Sequence, residues 1–144
     1  MATMAAQADV AAMTSSRPAR FSGTFVRTLL VTGLVVTASG HVPVAIQHIA
    51  EVPYLGWSMA AFVIAAATGA GSVLVEDRTE VWAATGVLNL AALVVFTVSR
   101  LVGLPGAGDD RGDWSNPIGV TCVIAEIIVV IVTATALLQR RQRR

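Results

Sequence analysis

Four long apolar stretches occupy most of this chain, and they decide what it can fold into. They run over residues 25–40, 55–75, 81–104 and 117–138, and the first can continue as helix past Pro43. A helix needs about 20 mostly apolar residues to cross a bilayer. Backbone groups inside hydrocarbon find no water to bond, so isolated spanning segments must be helical. The sequence therefore predicts an all-α integral membrane protein, built as a bundle of four spanning helices.

The composition supports this class and excludes others. Charged residues make up only 13% of the 144 residues, and hydrophobic residues make up 55%. Soluble domains carry about 25% charged residues, so this chain has too few charges to cover a water-soluble surface. The net charge is +1 and no basic patch is interleaved with aromatic residues, so no nucleic-acid partner is predicted. The single cysteine, Cys122, excludes an internal disulfide and a multi-cysteine metal site.

The arginines are divided unevenly between the two ends of the predicted helices. The chain has ten cationic side chains, all of them arginine, and eight lie on one side. These are Arg17, Arg20, Arg27, Arg78, Arg140, Arg141, Arg143 and Arg144. By the positive-inside rule both termini are therefore predicted to be cytoplasmic. Residues 41–54 and 105–116 then face outward, with Trp57 and Trp114 at the outer membrane interface and Trp82 at the inner one.

The segments that flank the apolar stretches differ from them in composition. Residues 1–22 are rich in alanine, serine and threonine and hold no apolar core, which predicts a disordered cytoplasmic tail. Residues 23–139 are predicted to form a single transmembrane domain. Residues 140–144 form a basic cytoplasmic tail. We therefore expect a multi-pass protein of the cell membrane, surrounded by lipid.

Small residues recur at helical spacing in the first two stretches. Ala61, Ala65 and Gly69 are four residues apart, and Gly33 and Gly40 are seven apart. In lipid, such faces let helices approach each other closely. The pattern predicts tight packing within the bundle, with a homo-oligomer interface as the alternative.

Glu126 lies in the middle of the most apolar stretch. A charge at the bilayer centre costs about 2.5–3.5 kcal/mol on insertion scales, so such a group is usually paired, protonated or functional. At about 1.5 Å per residue Glu126 is about 13 Å deep, between Arg100 at about 5 Å and Asn89 at about 21 Å. We expect a buried Arg100–Glu126 ion pair, with Asn89 completing the network. Alternatively, Glu126 exchanges a proton or a cation during transport, or faces a partner subunit.

The two histidines lie on the segment that follows the first stretch. His48 and Glu51 are three residues apart and face each other on a helix, a spacing that can hold a metal ion. His41 lies about 10 Å earlier along a straight helix, and Pro43 can bend the segment between them. Histidine and carboxylate ligands suit zinc, copper, iron or manganese. The alternatives are a transition-metal site of His41, His48 and Glu51, an ordinary amphipathic segment at the membrane surface, and a less fitting haem site.

Motifs for enzymatic chemistry are absent from the sequence. It has no Ser-His-Asp order, no Gly-rich phosphate loop, no nucleotide fingerprint and no zinc-protease pattern. We therefore predict a small non-enzymatic membrane protein, with a polar site in its outer half that binds or transports a metal ion or a proton. The alternatives are an accessory or assembly subunit of a larger membrane complex, such as a respiratory one, and a membrane electron carrier.

Two short patterns carry a resemblance to a known group. The first is Ser-Arg-x-x-Gly-Leu-Pro-Gly at residues 99–106, followed by Glu126, and the second is His41 with His48-x-x-Glu51. Together they resemble a group of small, uncharacterised actinobacterial four-span membrane proteins. The resemblance covers residues 40–126. It implies that the two histidines, Glu51, Glu126 and the arginine of the first pattern, Arg100, belong to one recurring constellation in the outer half.

Overall fold

The computed structural model describes residues 23–142, and this part of the chain is helical without any strand. Its four α-helices are α1 (Gly23–Glu51), α2 (Pro53–Val75), α3 (Thr79–Leu101) and α4 (Pro117–Arg141). All four are long and apolar enough to cross a membrane. This confirms the predicted all-α class with four candidate spans. The predicted tail of residues 1–22 and the last two residues of the predicted tail 140–144 lie outside the described residues.

The helices follow one another around the bundle. Helix α1 packs against α2 and α4, and α3 packs against α4 and, less extensively, against α2. The loop 76–78 joins α2 to α3 and makes them antiparallel neighbours. We call the end with Gly23, the loop 76–78 and Arg141 the terminal end. The opposite end, with Val52 and residues 102–116, is the loop end.

An apolar core fills the bundle from its middle towards the terminal end. Leu30 and Leu34 of α1, Val73 of α2, Trp82 of α3 and Val129 of α4 are all buried in it. All four helices thus contribute to one packed cluster. Trp82, near the terminal end of α3, is only 3% exposed, so its ring packs inside the bundle. The guanidinium of Arg140 covers its ring at 4.9 Å and separates it from the surface.

The outward faces of the helices are apolar as well. Ile64, Val87 and Ile131 are 68%, 67% and 55% exposed, and they lie on three different helices. A helix that is hydrophobic on every side is typical of a protein interior or a membrane. These exposed faces therefore fit a bundle that is surrounded by lipid.

Two glycines let α1 approach α4 closely. A Cβ atom at Gly33 would lie 2.6 Å from Cγ2 of Val129, and one at Gly40 would overlap Sγ of Cys122. The predicted packing role of these glycines is thus confirmed within the bundle. Ala61 and Ala65 of α2, by contrast, are exposed on its outer surface.

The chain turns sharply between α1 and α2 at the loop end. Val52 leaves the helical conformation, with φ of −137°, because it precedes Pro53. The turn brings α2 so close to α1 that a Cβ atom at Gly56 would overlap the backbone nitrogen of Ile49. Only glycine fits there, which explains the Pro-x-x-Gly spacing at residues 53–56.

The loop of residues 102–116 folds back over the loop end of the bundle. Gly103 ends α3 with φ of 84°, a left-handed conformation that favours glycine. The loop contains a short 3-10 helix, Gly108–Asp110. Tyr54 Oη donates to the Pro105 carbonyl at 2.7 Å and fastens the loop to α2.

Candidate functional site

A cavity of about 430 Å³ lies in the loop half of the bundle, between all four helices and the folded loop. Six ionisable side chains line it. These are His41, His48, Arg100, Asp110, Cys122 and Glu126. Four of them belong to the site residues predicted from the sequence, and the structure brings these four around one space.

The deepest of these groups is a histidine–carboxylate pair between α1 and α4. Nε2 of His41 lies 3.8 Å from Oε1 of Glu126. Glu126 is 1% exposed, and its Oε2 atom has no hydrogen-bond partner among the described residues. A distance of 3.8 Å is too long for a direct hydrogen bond. A water or a ligand donor that lies beside the gap can bond both atoms.

The backbone fixes how the His41 ring can hold its protons. Its Nδ1 atom lies 2.9 Å from the carbonyl oxygen of Thr37, one turn earlier in α1. A carbonyl only accepts, so Nδ1 carries a hydrogen and donates it. The Nε2 atom that faces Glu126 is then either bare or protonated. One proton can therefore reside on either side of the gap, on the imidazole or on the carboxylate.

A second histidine–carboxylate pair of the same design lies nearer the loop end. His48 Nδ1 lies 2.9 Å from the Val44 carbonyl oxygen, and His48 Nε2 lies 3.9 Å from Oδ2 of Asp110. Asp110 also binds Arg100, whose Nη1 atom is 2.9 Å from Oδ1 and donates to the Asp110 carbonyl at 2.8 Å. The roof of the cavity is thus a histidine, a carboxylate and a guanidinium in a row.

The predicted ion pair between Arg100 and Glu126 is not formed. Arg100 turns to Asp110, and its guanidinium lies 4.8 Å from the centre of the Phe96 ring. Helix rise predicts that Arg100 lies above Glu126, but it does not predict that the loop brings Asp110 closer to Arg100. Asn89 does not complete the pair either. It is fully buried, and its Nδ2 atom donates to the Thr85 carbonyl of its own helix at 2.9 Å.

The predicted ligand set of His41, His48 and Glu51 does not converge. Glu51 is exposed and accepts a hydrogen bond from Gln47 at 3.3 Å. Each histidine instead faces a carboxylate from another element, Glu126 or Asp110. Over residues 23–142, no group of three histidine, cysteine or acidic side chains is close enough to hold a metal ion.

Sequence reasoning did not assign Asp110 to the site. The signal was present, because the loop beside Arg100 contains three aspartates, Asp109, Asp110 and Asp113. Spacing along an irregular loop does not tell which of them turns inward. The fold selects Asp110, since Gly112 N donates to the Arg100 carbonyl at 2.9 Å and pins the loop against the end of α3.

Ionisation of Glu126 would give the cavity an excess of negative charge. The Arg100 cation is matched by Asp110, while Glu126 has no cationic arginine within ion-pair distance in the described part of the chain. With neutral histidines and a neutral thiol, an ionised Glu126 leaves one uncompensated negative charge. Such a charge is costly in a low-dielectric interior. The site therefore favours whatever supplies a positive charge to Glu126.

Comparisons with known proteins give this chain no relative. No family model matches it, and neither a curated protein nor a solved structure is significantly similar to it. The resemblance to the actinobacterial four-span group accordingly stays a prediction. Its architecture is four membrane-length helices with a cavity in their loop half.

Proposed function

We propose that this chain is a small non-enzymatic, multi-pass membrane protein that binds and releases a proton at Glu126 and His41. One observation carries the proposal. A fully buried carboxylate with an unpartnered oxygen faces a histidine whose Nε2 atom is free to gain a proton. Intramembrane carboxylates and histidines in such arrangements are typical of proton-handling proteins.

The outer side of the membrane is the side from which this proton comes. The excess of arginine at the terminal end favours a cytoplasmic location for that end, and hence an outer location for the loop end. The cavity lies in the loop half. The packed core of Leu30, Leu34, Val73, Trp82 and Val129 separates it from the terminal end. A proton therefore reaches Glu126 more easily from outside than from the cytoplasm.

The second histidine–carboxylate pair, His48 with Asp110, can bind the proton before it reaches Glu126. His48 is seven residues after His41 on α1, about 10 Å along the axis. Both ring systems anchor Nδ1 on their own helix and present Nε2 to a carboxylate. A proton held by His48 and Asp110 at the roof can pass through cavity water to His41 and Glu126.

A proton accounts for this geometry better than a metal ion does. Each histidine faces a single carboxylate, and the two pairs are separate along α1. Zinc sites in proteins are built from three or four protein ligands around one point. At separations of 3.8 and 3.9 Å, Nε2 and the carboxylate oxygen can exchange a proton through a water that lies beside the gap.

Infrared spectroscopy of the protein in lipid nanodiscs tests the proposal. As the pH is lowered, we expect the carbonyl band of a protonated buried carboxylic acid to grow in the wild type and in Glu51→Gln. Glu51 is the matched control, since it is an exposed carboxylate at the loop end of α1. The band should be missing from Glu126→Gln. Identical titrations in wild type and Glu126→Gln would show that Glu126 is not the proton-binding group.

A further inference from the structure

The cavity has the size and the lining of a small-molecule site. Its volume of about 430 Å³ lies within the range of about 300–1,000 Å³ typical of ligand pockets. Leu55, Phe62, Leu88 and Val95 contribute to an extensive apolar wall. A few polar groups converge in the same space, which is the usual composition of a site that orients a ligand.

At the deep end of this cavity, one oxygen of Glu126 lacks a hydrogen-bond donor. This atom, Oε2, is buried without a partner within the described range 23–142. Arg100 bonds Asp110 through its Nη1 atom at 2.9 Å and makes no contact with Glu126. His41 faces the other oxygen, Oε1, at 3.8 Å. A ligand with N–H donors and a positive charge would give Oε2 a hydrogen bond and would also balance the negative charge of an ionised Glu126.

An aromatic ring lies next to the histidine that faces this carboxylate. The rings of Phe62 and His41 lie 4.7 Å apart between centroids, so Phe62 is close to the His41–Glu126 pair. Aromatic faces attract ammonium groups. The ring of Phe96 is already covered by Arg100 at 4.8 Å, which leaves Phe62 as the aromatic contact for a cation at the deep end.

The cavity also reaches the lipid-facing surface between α2 and α3. These helices meet towards the terminal end, where a Cβ atom at Gly69 would lie 2.7 Å from Cγ2 of Thr85. Farther towards the loop end both helices line the cavity instead. Ser58 of α2 and Val95 of α3 line it and are also exposed on the surface. An apolar ligand body can therefore lie between the two helices, next to the acyl chains.

From these observations we propose that the cavity binds a small amphiphilic amine. Its ammonium group lies in the cavity against Glu126 and His41, and its apolar body extends along Phe62 towards the gap between α2 and α3. The inference rests on the proposed proton site, because ammonium and proton compete for the same carboxylate. Lowering the pH therefore weakens binding, with His41, His48, Arg100, Asp110 and Cys122 as the other ionisable groups around the cavity.

Calorimetric titration of the full chain in phosphatidylcholine nanodiscs tests this. Phenethylamine is the probe, and phenethyl alcohol is its neutral counterpart of the same shape. We expect the amine to bind more tightly than the alcohol and to lose about tenfold or more in affinity in Glu126→Gln. In Glu51→Gln its affinity should stay within about twofold of the wild type.

Two further comparisons identify the source of the amine and distinguish failure of the amine site from failure of the proton site. Nanodiscs that contain phosphatidylethanolamine show whether a lipid ammonium competes with the probe. Competition assigns the site to a lipid headgroup, and its absence assigns it to a free amine. Equal affinities for amine and alcohol in the wild type overturn the inference, even if Glu126→Gln does not fold. If the infrared band of Glu126 still titrates in the wild-type protein, the proton site stands without the amine.

Discussion

The Nε2 atom of His41 on α1 lies 3.8 Å from the Oε1 atom of Glu126 on α4. The two side chains join helices that also pack most closely at Gly33 and Gly40. The buried carboxylate therefore faces the imidazole ring across packed helices, and no loop intervenes. The separation is too long for a direct hydrogen bond.

The packing of α1 on α4 predicts opposite effects of alanine at different glycines. Gly33→Ala and Gly40→Ala place a methyl group against Val129 and Cys122, and we expect each to lower the free energy of unfolding in detergent by about 1–3 kcal/mol. Gly71→Ala is the control, because its Cβ meets no atom within 4 Å in residues 23–142. It should be neutral or stabilising by up to about 1 kcal/mol. Equal losses at all three positions would contradict the packing.

The folded loop predicts that Asp110 matters and its neighbour does not. Asp110→Asn removes the charge that matches the buried Arg100 cation. We expect it to lower the free energy of unfolding by about 1–3 kcal/mol. Asp109→Asn changes an exposed side chain and should stay within about 0.5 kcal/mol of the wild type. Chemical denaturation in detergent compares the two, and a larger loss in Asp109→Asn would rule out the proposed roof.

Two buried threonines should respond differently to the same substitution. Oγ1 of Thr133 is buried with no hydrogen-bond partner in the described residues, whereas Oγ1 of Thr85 donates to the Trp82 carbonyl at 2.9 Å. Thr133→Val is therefore expected to leave stability unchanged or raise it by up to about 1 kcal/mol. Thr85→Val should lower it by about 0.5–1.5 kcal/mol. Thermal unfolding distinguishes them, and the reverse order would refute this assignment of partners.

Asp77, in the loop between α2 and α3, predicts a pH dependence of stability. Its hydrogen bond with Arg140 holds the pKa of this carboxyl below its ordinary value, and the charge of Arg27 adds to the effect. A lowered pKa in the folded state stabilises the protein above the ordinary pKa of about 3.9. The contribution is lost as the pH falls through the lowered value.

Because Asp77 is 61% exposed, Asp77→Asn should cost at most about 1 kcal/mol near neutral pH. The difference from the wild type should shrink at acid pH. Unfolding measured across pH checks this. A double-mutant cycle with Arg140→Gln separates the ion pair from the contact between Arg140 and Trp82. A stability difference between wild type and Asp77→Asn that grew towards acid pH would contradict the lowered pKa of Asp77.

Some of these features were predictable from local sequence and others were not. Helix positions follow from apolar length, because a span has few alternatives. The packing roles of Gly33 and Gly40 follow from their helical spacing. The partner of Arg100 depends on how the loop of residues 102–116 folds, and that of Glu126 depends on how α1 packs against α4. No periodicity encodes either of them. The burial of Trp82 under Arg140 comes from long-range packing, which composition does not encode.

Nuclear magnetic resonance of the histidine rings tests the central claim most directly, because the chain has only two histidines. With nitrogen-labelled histidine in lipid nanodiscs, both rings should keep a hydrogen on Nδ1. Glu126→Gln removes the carboxylate that faces Nε2 of His41, so it should change the Nε2 signal of His41 and leave that of His48 as it was. Asp110→Asn should do the reverse. If Glu126→Gln left both rings unchanged, Glu126 and His41 would not share a proton and the account would be wrong.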